Sequence, residues 1–255
     1  MASLILQTWY IYLRNLRAWV TQPSQLLPAI FINVFLFVVF AAAFDNVSML
    51  PGFPTESYVT FILPMIIVQA MVLSGIDAGF NLLTDDLSGY LNKLLLAPIY
   101  RISILLGVLL VSATRGAIQG LTIIIIGVFM GVTAVSGWPG LIAILVLGTI
   151  FGITWSCLGL IIAIRTRSVQ ATQSSFTFFF PAVFLTTAFM PKELLAGWFQ
   201  VAVSINPVNY VLEAIRAIII VGWVWQDILP GVAILIAMTA ATLTATTILY
   251  RRATA

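Results

Sequence analysis

Apolar residues run along this 255-residue chain in long blocks, separated by short stretches that carry charge, proline or glycine. Six blocks, 26–44, 58–78, 102–132, 141–164, 174–190 and 228–250, come near or exceed the ~20 residues that a helix needs to cross ~30 Å of hydrocarbon. The expected fold is therefore an all-α membrane protein with six transmembrane helices in one domain, 1–255. The third block is long enough to tilt or to project beyond the bilayer.

Three segments follow a different pattern. In 1–22, Ser3, Gln7, Tyr10, Arg14 and Arg17 form one helical stripe, and Ile5, Trp9, Leu13, Leu16 and Val20 lie opposite. Its charges come late and no small-residue cleavage site follows, unlike a secretory signal, so an amphipathic helix lying along the cytoplasmic interface is expected. In 84–98, Thr84 is placed to cap a helix whose first turn holds Asp85 and Asp86, where carboxylates suit the N-terminal dipole. Leu87, Tyr90, Leu91, Leu94 and Leu95 then recur at helical spacing, and Pro98 stops the helix. Two readings fit this pattern, a helix resting on lipid and a helix that fills a groove on a cytoplasmic partner. In 191–226, Trp198, Phe199, Trp223 and Trp225 mix with Asn206, Pro207, Asn209 and Tyr210, which predicts short re-entrant helices dipping into the outer leaflet.

Composition removes the soluble alternative. Apolar residues make up 62% of the chain and charged ones 7%, against about 25% charged in soluble domains. Six spans put both termini on one side. Arg14, Arg17, Lys93, Arg101, Arg165, Arg167, Arg251 and Arg252 fall on that side, which the positive-inside rule makes cytoplasmic. The net charge of +3 thus reflects orientation and gives no stripe for nucleic acid. The absence of histidine excludes imidazole catalysis and histidine metal ligation, and the single Cys157 cannot form an internal disulfide.

The run DLSGYLNKLLLAPIYR at 86–101, with Asp86, Leu87, Gly89, Lys93, Pro98 and Arg101 at its key points, resembles the cytoplasmic segment of membrane subunits of type-2 ABC exporters. The likeness is greatest to the daunorubicin-resistance and nodulation-factor permeases. A second stretch is similar to the exterior region of that family: Met190, Pro191, Trp198, Asn206 and Pro207, then Glu213, Ala214, Ile215, Arg216 and Gly222. Lys93 and Asn92 depart from the family's usual arginine beside an acid. The resemblance implies a permease in the inner membrane of a prokaryote, exporting an amphipathic or lipid-like molecule such as a drug, lipid or lipid-linked saccharide. It also implies a second permease subunit, identical or different, and two copies of a separate ATPase. These would dock on the helix formed by 85–95 and hold the ATP and magnesium. No Gly-x-x-x-x-Gly-Lys-[Ser/Thr] loop occurs in this chain, so it offers no phosphate cradle of its own and no cofactor site is expected in it.

Polar residues inside the spans fit two roles each. Arg115 must face protein or water, with Asp77 a partner for it; a helix lock and a substrate contact both fit. Glu213 and Arg216 sit three apart on one helix face, where they can pair and brace the exterior helices or gate them. Phe176, Phe178, Phe180 and Phe184 make the fifth span an aromatic wall, for a passenger or for ordinary packing. Four Gly-x-x-x-Gly pairs, at 75/79, 116/120, 127/131 and 148/152, allow close helix packing within the chain or across a dimer. The competing class, an ion-coupled secondary transporter, calls for several acidic residues at mid-span and inverted repeats. Asp77 is the lone acid near a span interior, and no repeat stands out.

Overall fold

The computed structural model describes residues 2–21 and 23–254, apart from the side chains at 2, 23–26, 76, 92, 95, 175, 176, 178, 179 and 254. Among the described residues every regular element is a helix. In order these are α1 (Ala2–Val20), α2 (Pro23–Ala43), α3 (Tyr58–Leu87), α4 (Tyr90–Leu96), α5 (Arg101–Phe129), α6 (Gly137–Thr166), α7 (Val169–Phe184), α8 (Gly197–Ile205), α9 (Pro207–Ile220) and α10 (Trp225–Thr254), with 3-10 turns at Asp45–Met49 and Lys192–Leu194. Among the described residues four helices, α3, α5, α6 and α10, are long and apolar enough to cross a bilayer. The pair α8 and α9 passes the same test only if the two are taken together across an 88° bend. The expected first and fifth spans fall on shorter helices, the apolar stretch Leu27–Ala43 of α2 and the 16-residue α7.

The centre of the molecule is α3. Its residues Phe61, Ile62, Ile66, Ile67, Ala70, Met71 and Val72 have no exposed surface, and the main core gathers around them from α2, α5, α6, α7, α9 and α10. The contact with α6 is backbone to backbone. A Cβ placed on Gly79 would lie 2.5 Å from the Gly159 carbonyl oxygen, and one on Gly75 would lie 2.9 Å from that of Gly152. Met71 then fills the hollow opposite: added Cβ atoms at Gly116 and Gly120 of α5 and at Gly148 of α6 would run into its side chain. Three of the glycine pairs thus pack α3, α5 and α6 together inside the chain. In the fourth pair, Gly127 meets Leu63, while Gly131 sits in the turn after α5 with a φ of +93° that favours glycine.

Helix ends depart from the hydropathy blocks where polar contacts set them. The block at 174–190 becomes α7, which starts five residues earlier because the Ser168 hydroxyl accepts from the Ala171 amide at 3.3 Å. It ends at Phe184, and the Asn206 side-chain amide donates to the Ala182 and Leu185 carbonyls at 2.5 and 2.8 Å. Those are carbonyls that a helix terminus leaves without partners. The segment expected to dip into the outer leaflet divides at Asn206: α8 keeps Trp198, Val201 and Ile205 exposed, whereas α9 is buried along most of its length against α3 and α10.

The N-terminal helix also differs from its sequence pattern. Thr8, Ile11 and Trp19 are its buried residues among the described side chains, a face that belongs to neither predicted stripe, and a Cβ on Gly107 of α5 would touch Ile11 at 2.6 Å. Ile5, Trp9 and Val20 of the apolar stripe stay exposed, the arrangement of a helix that shows one face to lipid and docks another on its own protein.

The α3–α6 contact generates a first prediction. Gly79→Leu forces the two backbones apart, and overpacking of this kind costs about 1–3 kcal/mol or more. The variant should lose melting temperature in detergent, as read by a dye-free thermal scan. Gly197→Leu, at a position with nothing within 4 Å, should leave it unchanged. An unaltered melting temperature for Gly79→Leu would remove this contact as the frame of the fold.

Candidate functional site

The segment expected to form one helix over 85–95 is built differently. Thr84 caps nothing: its hydroxyl donates to the Phe80 carbonyl at 2.9 Å inside α3, which runs on to Leu87. Asp85 and Asp86 therefore sit in the last turn of α3, not the first turn of a new helix. The break comes at Gly89, whose φ of +72° is the left-handed geometry that glycine adopts at low cost. There the Ser88 and Gly89 amides turn back onto the carbonyls of Thr84 and Asp86 at 3.0 Å each. The short α4 follows and stops at Leu96, two residues before Pro98. Thus 84–98 is an elbow joining the ends of α3 and α5.

Two carboxylates at a helix C-terminus oppose its dipole. Arg14 of α1 offsets this, donating from Nη1 to Asp85 Oδ2 at 2.8 Å and from Nη2 to Oδ1 at 3.0 Å. Its guanidinium also lies 3.6 Å above the centre of the Tyr90 ring. One side chain therefore grips both sides of the Gly89 break. On the far side of α4, the Gln7 side-chain oxygen accepts from the Tyr100 amide at 2.9 Å. The hydrogen bonds that Arg14 donates to Asp85 push its pKa above the ordinary value, against an opposing effect of burial. A cation raised in this way loses its contribution only as pH climbs through that raised value, so the grip holds across the neutral range.

The elbow does not present its whole apolar stripe. Leu91 is buried and Leu94 half-buried in a second core with Ile11, Leu82, Ile104 and Leu105, and the Leu95 side chain lies outside the described residues. Leu87 and Leu96, at 68% and 89% exposure, project from it beside Lys93, Pro98 and Arg101. The exposed rim differs from the heptad-like stripe because α4 is a separate helix, rotated about the Gly89 break.

Away from the elbow, Arg115 Nη1 stands 3.6 Å from Asp77 Oδ2 and its guanidinium 5.1 Å from the Trp19 ring. Glu213 and Arg216 meet at 2.7 Å on α9. Arg216 also donates to the Thr187 carbonyl at 2.8 Å and to its hydroxyl at 2.9 Å, and stacks 3.9 Å over Phe61. Thr187 in turn donates to Glu213 and to Asn209. This network stitches the chain beyond α7 to α9 and α3. It lines a separate cavity with Lys192, Glu193, Tyr210 and Asp227. On α7, Phe180 and Phe184 are about half exposed and stacked at 5.7 Å, and contacts from Phe184 to Phe189 and on to Phe40 at 5.7 and 5.3 Å extend the aromatic track to α2. The side chains of Phe176 and Phe178 lie outside the described residues.

In the sequence Arg14 marks the polar stripe of 1–22 and the orientation of the chain, and nothing local ties it to Asp85. The partner is 71 residues away, so no local periodicity marks it. Gly89, two residues past the end of α3, was the available sign of a break. The pair predicts a measurable coupling: in a thermal double-mutant cycle, Arg14→Ala and Asp85→Ala should each destabilise, and the double variant should lose less than their sum, by about 0.5–1.5 kcal/mol for a bidentate, partly exposed pair. Arg14→Lys should restore only part, since an ammonium can neither fork nor lie flat on Tyr90. Additive losses would dissolve the clamp.

Comparison with known proteins agrees with this architecture. A family model described as ABC-2 type transporter matches residues 6–220. The chain is 28% identical over 195 residues to the daunorubicin resistance ABC transporter permease protein DrrB1 of Streptomyces coeruleorubidus, covering 75% of this chain and 65% of that one. It is 30% identical over 205 residues to the putative transport permease ycf38 of Porphyra purpurea, covering 80% and 70%. It is also 25% identical over 204 residues to the probable doxorubicin resistance ABC transporter permease protein DrrC of Mycobacterium tuberculosis, covering 80% and 73%. The chain therefore spans about two thirds of the length of these curated relatives. With the family model extending from α1 through α9, this helical membrane protein belongs to the ABC-2 type transporter family of permeases.

Proposed function

We propose that this chain is the membrane-spanning half of an ATP-driven exporter, powered by separate ATPase subunits that dock on the elbow of 84–98. One observation carries this reading: Leu87 and Leu96 project into solvent from an elbow that is covalently continuous with α3 and α5 and clamped by Arg14. A push on such a rim moves the ends of two core helices together. The motion reaches the glycine-packed α3–α6 contact because close-packed interiors transmit displacement. The chain works as a pair of permease subunits with two ATPases, and ATP and magnesium belong to those partners.

In this reading α2, α3, α5, α6, α7 and α10 make six crossings, with α8 and α9 re-entrant on the outer side. Both termini lie in the cytoplasm of a prokaryotic cell, as the placement of Arg14, Lys93, Arg165 and Arg251 supports. The passenger is amphipathic, with aromatic or acyl character, and moves along the half-exposed track of Phe180 and Phe184. The drug-resistance names of two relatives support a hydrophobic drug in particular. Nothing in the chain is asked to break a bond. It biases a two-state cavity, and ATP binding to the partners selects the state.

The test uses the exposed rim. Leu87→Asp and Leu96→Asp place a charge where a partner's apolar groove would close, and burying one leucine is worth ~1.5–3 kcal/mol. Both variants should reach the membrane in normal amounts, fail to co-purify with the ATPase and lose export. Leu91→Asp is not a usable probe, because Leu91 belongs to the core and its loss destabilises the subunit itself. Normal ATPase binding and export in both rim variants would refute docking at the elbow.

A further inference from the structure

A crevice of about 170 Å³ opens between α1, α3 and α5, apart from both the exposed rim of the elbow and the aromatic track. Its polar lining includes Arg14 and Asn15 of α1, Asn81 and Asp85 of α3, and Arg115 of α5, with the hydroxyl side chains of Ser74, Thr84 and Ser112. Of these charges, Asp85 is taken up by Arg14 through two hydrogen bonds. Arg115 is left. It is 94% buried by its 6% exposure, its Nε has no acceptor among the described residues, and Asp77 stands 3.6 Å from its Nη1, outside hydrogen-bond reach. A guanidinium offers five donors in a planar fork that matches a phosphate, and a buried Nε without an acceptor is costly.

The rest of the crevice fits an amphiphile. Trp19, Ala78, Val108 and Val111 line it alongside the polar groups, and its α1 wall shows lipid-type residues Ile5, Trp9 and Val20 on its outer face. α1 packs along α5 from Tyr100 at the elbow end, held by Gln7, to Arg115 beside Trp19, so the crevice leads inward from the elbow end, where phosphate is the abundant anion and basic pockets between helices take lipid headgroups. We propose that this crevice binds a phosphate headgroup, with Arg115 as its principal donor, Arg14 at the mouth and the lipid's acyl chains running out past Trp19. The occupant braces α1 against α3 and α5, next to the Arg14 clamp, and it is distinct from the exported passenger.

The experiment needs no ATPase and no transport, so its result is independent of the proposed function. Native mass spectrometry of the detergent-purified chain reads lipid retention after titration with phosphatidylglycerol or with dioleoylglycerol, which lacks the phosphate. The expected result is one phosphatidylglycerol retained per chain at concentrations where dioleoylglycerol is not held, with at least a tenfold loss in Arg115→Gln. Ala18→Trp fills the crevice from an exposed position on α1 without touching a buried charge, and it should give the same loss if Arg115→Gln fails to fold. Inorganic phosphate identifies the source: displacement of the lipid at millimolar phosphate makes the free anion a ligand too, and no displacement makes the headgroup the ligand. Equal retention of the two lipids, or unchanged retention in either folded variant, overturns the proposal.

Discussion

The contact that the rest of the molecule depends on is the backbone-to-backbone approach of α3 and α6 at Gly75, Gly79, Gly152 and Gly159. Inside a bilayer, apolar side chains gain little by leaving lipid for protein, so tight van der Waals packing must hold the helices together. Glycine permits that packing, and Met71 fills the hollow between α5 and α6 that the glycines leave. The long α3 thereby becomes a fixed rod of thirty residues, ~45 Å at 1.5 Å per residue. At one end Asp85 meets Arg14, and near the other Phe61 lies under Arg216. The elbow and the outer polar network are the two ends of one buried helix.

Each end uses arginine for the same physical reason. Helix termini leave carbonyls and dipole charge unanswered, and a planar guanidinium can bind a carboxylate while covering an aromatic ring. Arg14 does this across the break between α3 and α4, and Arg216 does it where the chain leaves α7. Both clamps join segments far apart in sequence. The elbow is consequently clamped to its own subunit, and Leu87 and Leu96 are its strongly exposed leucines among the described side chains. Such a part can accept force from outside and deliver it to two long helices.

Hydropathy was sufficient for the helical class and for the cores of α3, α5, α6 and α10, because a long apolar block has one solution in lipid. The pairing of Glu213 with Arg216 was also legible, since it depends only on spacing along one helix. Helix ends were not. The end of α7 is set by Asn206, more than twenty residues later, and the end of α3 by Gly89, which the acidic pair before it disguised as a helix start. The docking face of α1 was hidden too, because Thr8, Ile11 and Trp19 fall on neither sequence stripe and are selected by the gap at Gly107. The elbow's residues were found, but its internal break decides which of them face outward. That break turned Leu91 inward and left Leu96 at the rim.

The central claim is that force enters through the rim of the elbow. Placing the photo-crosslinking residue p-benzoylphenylalanine at position 87 or 96 in the assembled membrane complex tests this most directly, with Trp138, exposed near the start of α6, as the control position. The account predicts ultraviolet-dependent adducts to the ATPase from 87 and 96 and none from 138. Adducts from 138, or none from either rim position in a complex that hydrolyses ATP, would contradict it.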